Sequence, residues 1–362
     1  MTETTTLSTK NLITHLSTAI GVTGYRGSDN IHDAIIQALE PYTDQVEKDR
    51  MGSVVGVKFG EQADQSGDSE AGRRKIMIAA HLDEIGMVVT KIDQGFLRFS
   101  QIGGLDDRVL MGQTVIIHGE RPMPGIIGST PPHLLPPGQS NNRVNHAEMV
   151  IDVGLPPRQV ERLVQIGDIV SFDQPPVDLL NGLVSGKAMD NRASVAAMIL
   201  ALRELTTVRH QWDVYAVATA DEEWGNFVGA TTQAYTIHPD IAIVLDVTFA
   251  DVAEIEVKLN GGPVLGLGPS NHPVIRQRLL DICSKLELKH QNEVMPSGAG
   301  TDAYAIEVSR EGIPTILISL PSRYMHSPVE VVSLKDMERT GRLIAYFISQ
   351  LDETLVEALI PV

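Results

Sequence analysis

Four short apolar runs, each followed by residues of metal-binding type, constrain this chain more than any other feature of its sequence. They are KIMIAA (Lys75–Ala80), WDVYAVAT (Trp212–Thr219), IAIVL (Ile241–Leu245) and PTILISL (Pro314–Leu320). Each is too short for an ordinary helix and rich in β-forming residues, so each predicts a buried strand. Helical spacing follows at Ser194–Leu205, Val274–Leu286 and Leu334–Leu351. Two earlier helices are expected, one carrying Leu12, Ile13, Leu16 and Ile20 and stopped by Gly21, the other over Asp33–Leu39. Strands alternating with helices predict an α/β domain with a mixed, largely parallel sheet flanked by helices.

Residues from about 90 to 178 read differently. FLRFSQI, QTVIIHG, GIIGS, AEMVIDV and DIVSF are short strand candidates separated by Gly and Pro turns. They predict a small all-β, barrel-like domain over 90–178, inserted into an α/β domain made of 1–89 and 179–362. The polar segment Glu61–Arg73 and the Pro-rich segment STPPHLLPPGQSNNR are expected to be exposed loops.

In an open α/β sheet, ligands bind at the carboxyl ends of the strands. KIMIAA leads into His81-Leu82-Asp83-Glu84 and VYAVAT into Ala220-Asp221-Glu222-Glu223. IAIVL meets Asp246, TILISL leads to His326, and Asp190 stands just ahead of a helical stretch. Imidazole and carboxylate together suit zinc, cobalt or manganese. Five ligands serve two divalent ions if one carboxylate bridges. Asp83, two residues after His81, is placed to accept from its ring. Of the adjacent Glu222 and Glu223, one is expected to bind metal and the other to face the attacking water. His15, His118, His133 and His290 are expected in surface or loop packing, and Cys283 in the core.

Charge narrows the partners. Twenty-nine basic residues against 46 acidic give a formal net charge of −17, which argues against nucleic acid. No apolar run approaches the roughly 20 residues that span a bilayer, so no membrane partner is expected. MTETTTLSTKNL lacks the basic and apolar blocks of a secretory signal. With a single cysteine besides, the expected compartment is the cytoplasm.

The motifs AHLDEIG, GKAMDNR, ADEEWG, LDVT, AGTDAYAI and RYMHSPVE, in that order, resemble those of the glutamyl/leucyl aminopeptidase family of dinuclear metallopeptidases. Its members assemble into tetrahedral particles, and some carry the label cellulase or endoglucanase. The resemblance covers about residues 10–350 and includes IGGLDDRVLMGQ and PPHLL in the inserted domain. It implies a zinc-exopeptidase-like fold in which Asp190 bridges two ions and its bond to Asn191 is cis. His81 and Asp246 would complete one metal site, Glu223 and His326 the other. It implies Glu222 as general base and Asp83 as the carboxylate behind His81; of the metals the donor set suits, zinc or cobalt is expected. The β domain would pair subunits into dimers that build a dodecamer.

Two motifs depart from the family pattern. WGNFVGA follows the paired glutamates where relatives more often carry VGLRGA, and Ala299-Gly300 stands where a Gly-Gly pair is common, with Tyr304 close behind. Both bear on specificity. The expected activity is removal of amino-terminal residues from short peptides. A glycoside hydrolase using Asp221, Glu222 and Asp246 is one alternative; it needs two carboxyl groups and no metal, and aromatic residues are only 4% of the chain. An amidohydrolase acting on acylated amino acids or peptides is another, and an oligomeric scaffold with a vestigial site is a third.

Overall fold

The computed structural model describes residues 7–25, 30–61, 73–134, 144–253, 255–297 and 300–359. Most of the Glu61–Arg73 loop, the second half of the Pro-rich segment and Ala299 lie outside the described residues.

Strands β1 (Gln45–Lys48), β2 (Val54–Lys58) and β3 (Lys75–His81) come first. Six more follow: β4 (Gly86–Asp93), β5 (Phe96–Ile102), β6 (Thr114–His118), β7 (Pro122–Ser129), β8 (Met149–Asp152) and β9 (Ile169–Phe172). Then come β10 (Val177–Leu179), β11 (Leu183–Gly186), β12 (Asp213–Thr219), β13 (Ile241–Phe249), β14 (Val264–Leu267), β15 (Gln291–Val294), β16 (Thr315–Ser322) and β17 (Glu330–Ser333).

The large sheet has the order β1-β2-β12-β3-β13-β16-β14-β15. Its four central strands, β12, β3, β13 and β16, run parallel to one another, as the alternation of strands and helices predicts, while β2 and β14 pair antiparallel at their flanks. β3 shows why these sequences pair here. Ile76, Ile78 and Ala80 pack on one side with the helices Thr9–Thr18, Ile31–Leu39, Met189–Glu204, Pro273–Lys285 and Leu334–Ser349. Met77 and Ala79 pack on the other with the helices Val228–Ile237 and Asp302–Glu307. Both faces of the strand are covered, so an unbroken apolar run is what the position demands.

The helix Met189–Glu204 is buried at every residue from Met189 to Leu202. Each fully buried large aliphatic side chain stabilises the fold by about 1.5–3 kcal/mol, so this helix gives Asp190 a fixed foundation. Cys283 is buried in the same core.

β4 to β9 close a barrel in the order β4-β5-β8-β7-β6-β9. Its strands alternate buried and outward residues, as β7 does from Pro122 to Ile127, the period-two pattern of a sheet with one wet face. Leu97, Val115, Ile117, Ile151 and Val170 fill the interior. The expected strands all appear, and Gly86–Asp93 joins them as a sixth.

Candidate metal centre

Parallel register brings the proposed ligands together. Thr219 pairs with His81, and Val244 with Ala79, so two residues further along, Asp246 stands level with His81. Asp246 does not end its strand as the sequence suggests. β13 continues through Val247, Thr248 and Phe249 against Leu320, Pro321 and Ser322 of β16, and the β-branched Val and Thr favour that continuation. Asp190 lies where the helix Met189–Glu204 begins, with non-helical backbone at Asp190 and Asn191 and a cis bond between them. Asn191 donates to the Leu245 carbonyl at 2.8 Å, tying this turn to the residue before Asp246. His326 follows β16 in a loop, at φ +62°.

The side chains converge as two triads. His81, Asp190 and Asp246 place one donor atom each within 4.8 Å of one another, and so do Asp190, Glu223 and His326. Asp190 belongs to both. Its Oδ1 lies 3.1 Å from Nε2 of His81 and its Oδ2 3.5 Å from Nε2 of His326. Nδ1 of His81 lies 3.2 Å from the Asp83 carbonyl, which can only accept. That contact makes Nδ1 the donor and turns the lone pair of a neutral ring, on Nε2, toward the carboxylates.

Asp83 does more than stand behind His81. Its carboxylate lies 3.6 Å from the ring, because β3 ends at His81 and strand alternation stops there. Its oxygens accept the backbone N–H groups of Glu222 and Glu223, each at 3.1 Å, and the Thr23 hydroxyl at 2.6 Å. One buried carboxylate therefore holds the paired glutamates as a unit. From that turn Glu223 reaches toward His326, at 3.8 Å, while Glu222 lies 3.8 Å from His81 and takes part in neither triad.

Charge shows what these residues accommodate. Burial, reinforced by Asp246 and outweighing the pull of His81, pushes the Glu222 carboxyl up to about 9. Burial also lifts Asp246 to about 7 and Glu223 well above the carboxylate range, with Asp190 adding to both. Burial alone would lower the His81 ring, yet Glu222, Asp190, Asp83 and Asp246 together hold it well above the imidazole range. Without a cation the cluster retains protons; divalent charge is the other way to neutralise it. Glu223 Oε1 is buried with no hydrogen-bond partner among the described residues. The donor set fits two divalent cations sharing Asp190.

Sequence reasoning missed Glu330. Its Oε2 accepts the Asp190 N–H at 2.9 Å and its Oε1 the His326 N–H at 2.8 Å, so one carboxylate on β17 sets the backbone of two proposed ligands. The available signal was a Glu directly ahead of the apolar pair Val331-Val332 in the EVVS strand, buried like the rest of it. Asp302, paired with the Thr219 hydroxyl and lifted by burial to about 6, lies behind the same strand ends. Farther back, Lys187 and Glu84 form a buried ion pair at 2.8 Å, with Glu84 also accepting the Gly21 N–H. The tie fixes the segment after His81 to the turn following the first helix. His15 and His133 are exposed, and His118 and His290 are half-buried; none of the four joins the triads.

The barrel reaches this centre through two glycines after β5. A Cβ on Gly104 would lie 2.7 Å from Nδ1 of His326, and one on Gly103, at φ +79°, 3.1 Å from Oε2 of Glu223. Gly104→Ala is expected to displace the imidazole and lower kcat/KM about 10²-fold, the scale for an ångström of misplacement. Steady-state kinetics with metal analysis of the purified variant checks this; native turnover would show that the ring shifts without consequence.

Comparison with known proteins agrees with the geometry. The profile of the M42 glutamyl aminopeptidase family matches residues 63–343. A lysyl aminopeptidase of Pyrococcus furiosus is 33% identical over 340 residues, covering 91% of this chain and 94% of that protein. The TET aminopeptidase of the marine sediment archaeon Thaumarchaeota archaeon SCGC AB-539-E09 superposes with a TM-score of 0.88 at 32% identity, over 97% of this chain and 99% of that one. The TET1 peptidase of Pyrococcus horikoshii, which can assemble into a tetrahedron or a large octahedral shell, does so with a TM-score of 0.82 at 29% identity, over 95% of this chain and 100% of that one. Sequence, fold and relatives lead to one place: the chain belongs to the M42 glutamyl aminopeptidase family, and it is a hydrolase acting on peptide bonds.

Proposed function

We propose that this aminopeptidase removes amino-terminal residues from short peptides in a reaction that depends on two divalent ions. The observation that carries the reading is the pair of triads sharing Asp190, with Glu222 beside them and outside both. His81, Asp190 and Asp246 would hold one ion; Asp190, Glu223 and His326 the other. Zinc or cobalt suits these donors best, with manganese as an alternative. When bound, the ions supply Lewis acidity that favours deprotonation of water and polarises the scissile carbonyl.

The chain's own residues do the rest. Glu222 accepts the proton of the attacking water as its oxygen bonds to the carbonyl carbon. It delivers that proton to the leaving amine nitrogen as the C–N bond breaks. Asp83 keeps the Glu222 backbone fixed throughout. Glu330 and Asn191 keep the Asp190 turn and His326 in register, so little reorganisation accompanies reaction.

The working unit in this proposal is a homo-oligomer in which dimers, paired through the domain inserted at about 90–178, build a dodecamer. The P. horikoshii TET1 assembly supports it, as do Phe96, Met111 and Ile126, exposed on the barrel or beside it. Among the described residues no helix is long and apolar enough to cross a membrane. The lone, buried Cys283 suits a reducing compartment such as the cytoplasm.

Release of free amino acids from unblocked and acylated peptides tests the reading, before and after chelation and with zinc, cobalt or manganese restored. Stepwise amino-terminal release that chelation abolishes and metal restores is expected. Activity confined to acylated substrates would favour the amidohydrolase, and release indifferent to chelation would remove the metals from the mechanism.

A further inference from the structure

The cleft in front of the two triads has a volume of about 510 Å³. Away from the proposed ligands its wall is largely apolar, with Val247, Leu317, Met295 and Phe227 among its residues. Besides Glu222, a second carboxylate that neither triad uses lines the cleft and interrupts this wall: Glu293 on β15. Its Oε1 accepts the Thr248 hydroxyl at 3.0 Å. Thr248 stands two residues beyond Asp246 on β13, so the two side chains leave the strand on the same side. Oε2 of Glu293 is buried and has no hydrogen-bond partner among the described residues. The described lining includes no lysine or arginine. A buried carboxylate oxygen without a donor is unfavourable, and Oε2 of Glu293 has no hydrogen-bond partner among the described residues to offset that cost.

We propose that this part of the cleft receives the side chain of the substrate's amino-terminal residue, and that Glu293 selects a basic one, lysine or arginine. The inference rests on the peptidase reading above and adds the substrate class. A lysine or arginine stem offers its methylenes to Val247, Leu317 and Met295 and brings its cationic head to Glu293, the division such side chains make wherever an apolar wall ends in a charge. A substrate aspartate or glutamate meets a like charge instead. A methionine fills the same apolar volume but leaves the Glu293 oxygen unpaired.

A purely structural role for Glu293 is the competing account, since its bond to Thr248 ties the edge strand to β13. Glutamine separates the two. It keeps an oxygen that accepts from Thr248 and removes only the charge. The test measures kcat/KM of the metal-loaded enzyme on tripeptides X-Ala-Ala, with X lysine, arginine, methionine, leucine or glutamate. Lysine or arginine is expected to exceed methionine by at least about tenfold. Glu293→Gln should cut the lysine-to-methionine ratio by a similar factor, mainly through KM, and Glu293→Lys should move the preference toward glutamate. If Glu293→Lys does not fold, the isosteric glutamine variant decides alone. A native preference for methionine or leucine over lysine, or a ratio that Glu293→Gln leaves unmoved, overturns the assignment while the peptidase reading stands. No release from any X takes down both.

Discussion

Glu222→Gln is expected to lower kcat about 10²–10⁴-fold, the usual contribution of a general base, while the chain keeps its metal. The substitution is nearly isosteric. Asp83 accepts from the backbone N–H of residue 222, and a glutamine retains that N–H, so the turn that also presents Glu223 stays in place. Glu222 belongs to neither triad, so no ligand is removed. What disappears, in the proposed mechanism, is the capacity to take a proton from water and return it to the leaving amine. Kinetics on an unblocked tripeptide, with metal content measured by mass spectrometry on the same sample, separates the cases. Near-native turnover removes Glu222 from the role of base, and loss of an ion shows that it serves as a ligand instead.

Asp190→Ala should strike harder at the metal. The Asp190 carboxylate faces His81 with one oxygen and His326 with the other, so its loss opens both triads at once. Metal content is expected to fall from about two ions per chain to below one. Activity should fall by at least about 10²–10³-fold, the scale on which transition-state charge stabilisation is lost. His326→Ala is the control, because it touches the second triad alone and should leave one ion bound. Asp190→Ala chains that retain both ions would sink the shared-carboxylate arrangement.

Much of this centre could be read from strand ends, for a physical reason. A strand buried on both faces must be apolar, so a His or Asp at its end stands out against Ile, Val and Ala, as His81 does after KIMIAA. Asp246 was legible for the same reason, although β13 runs on past it, because Val and Thr are good strand formers whether or not a strand stops there. Glu330 escaped because its work is done on backbone N–H groups, which carry no side-chain signature. The second task of Asp83 was hidden likewise: its partners are the amides of residues 222 and 223, in a turn that follows it by some 140 positions. Gly86–Asp93 was missed as a barrel strand because it starts five residues after His81, with no cluster of Gly and Pro to separate the layers. Glu293 has the opposite problem. An exposed edge strand such as QNEV gives no sign of which of its polar residues turns inward.

The close approach of Gly103-Gly104 to the proposed ligands Glu223 and His326 bears on how far the molecule is modular. A barrel joined to the sheet only by its connecting strands could be exchanged for another by cutting at its borders. Here the segment after β5 is part of the packing around the imidazole, so a graft succeeds only if that glycine pair arrives in the same place. A chimera joined without regard to Gly104 would inherit a barrel whose border side chain collides with the His326 ring.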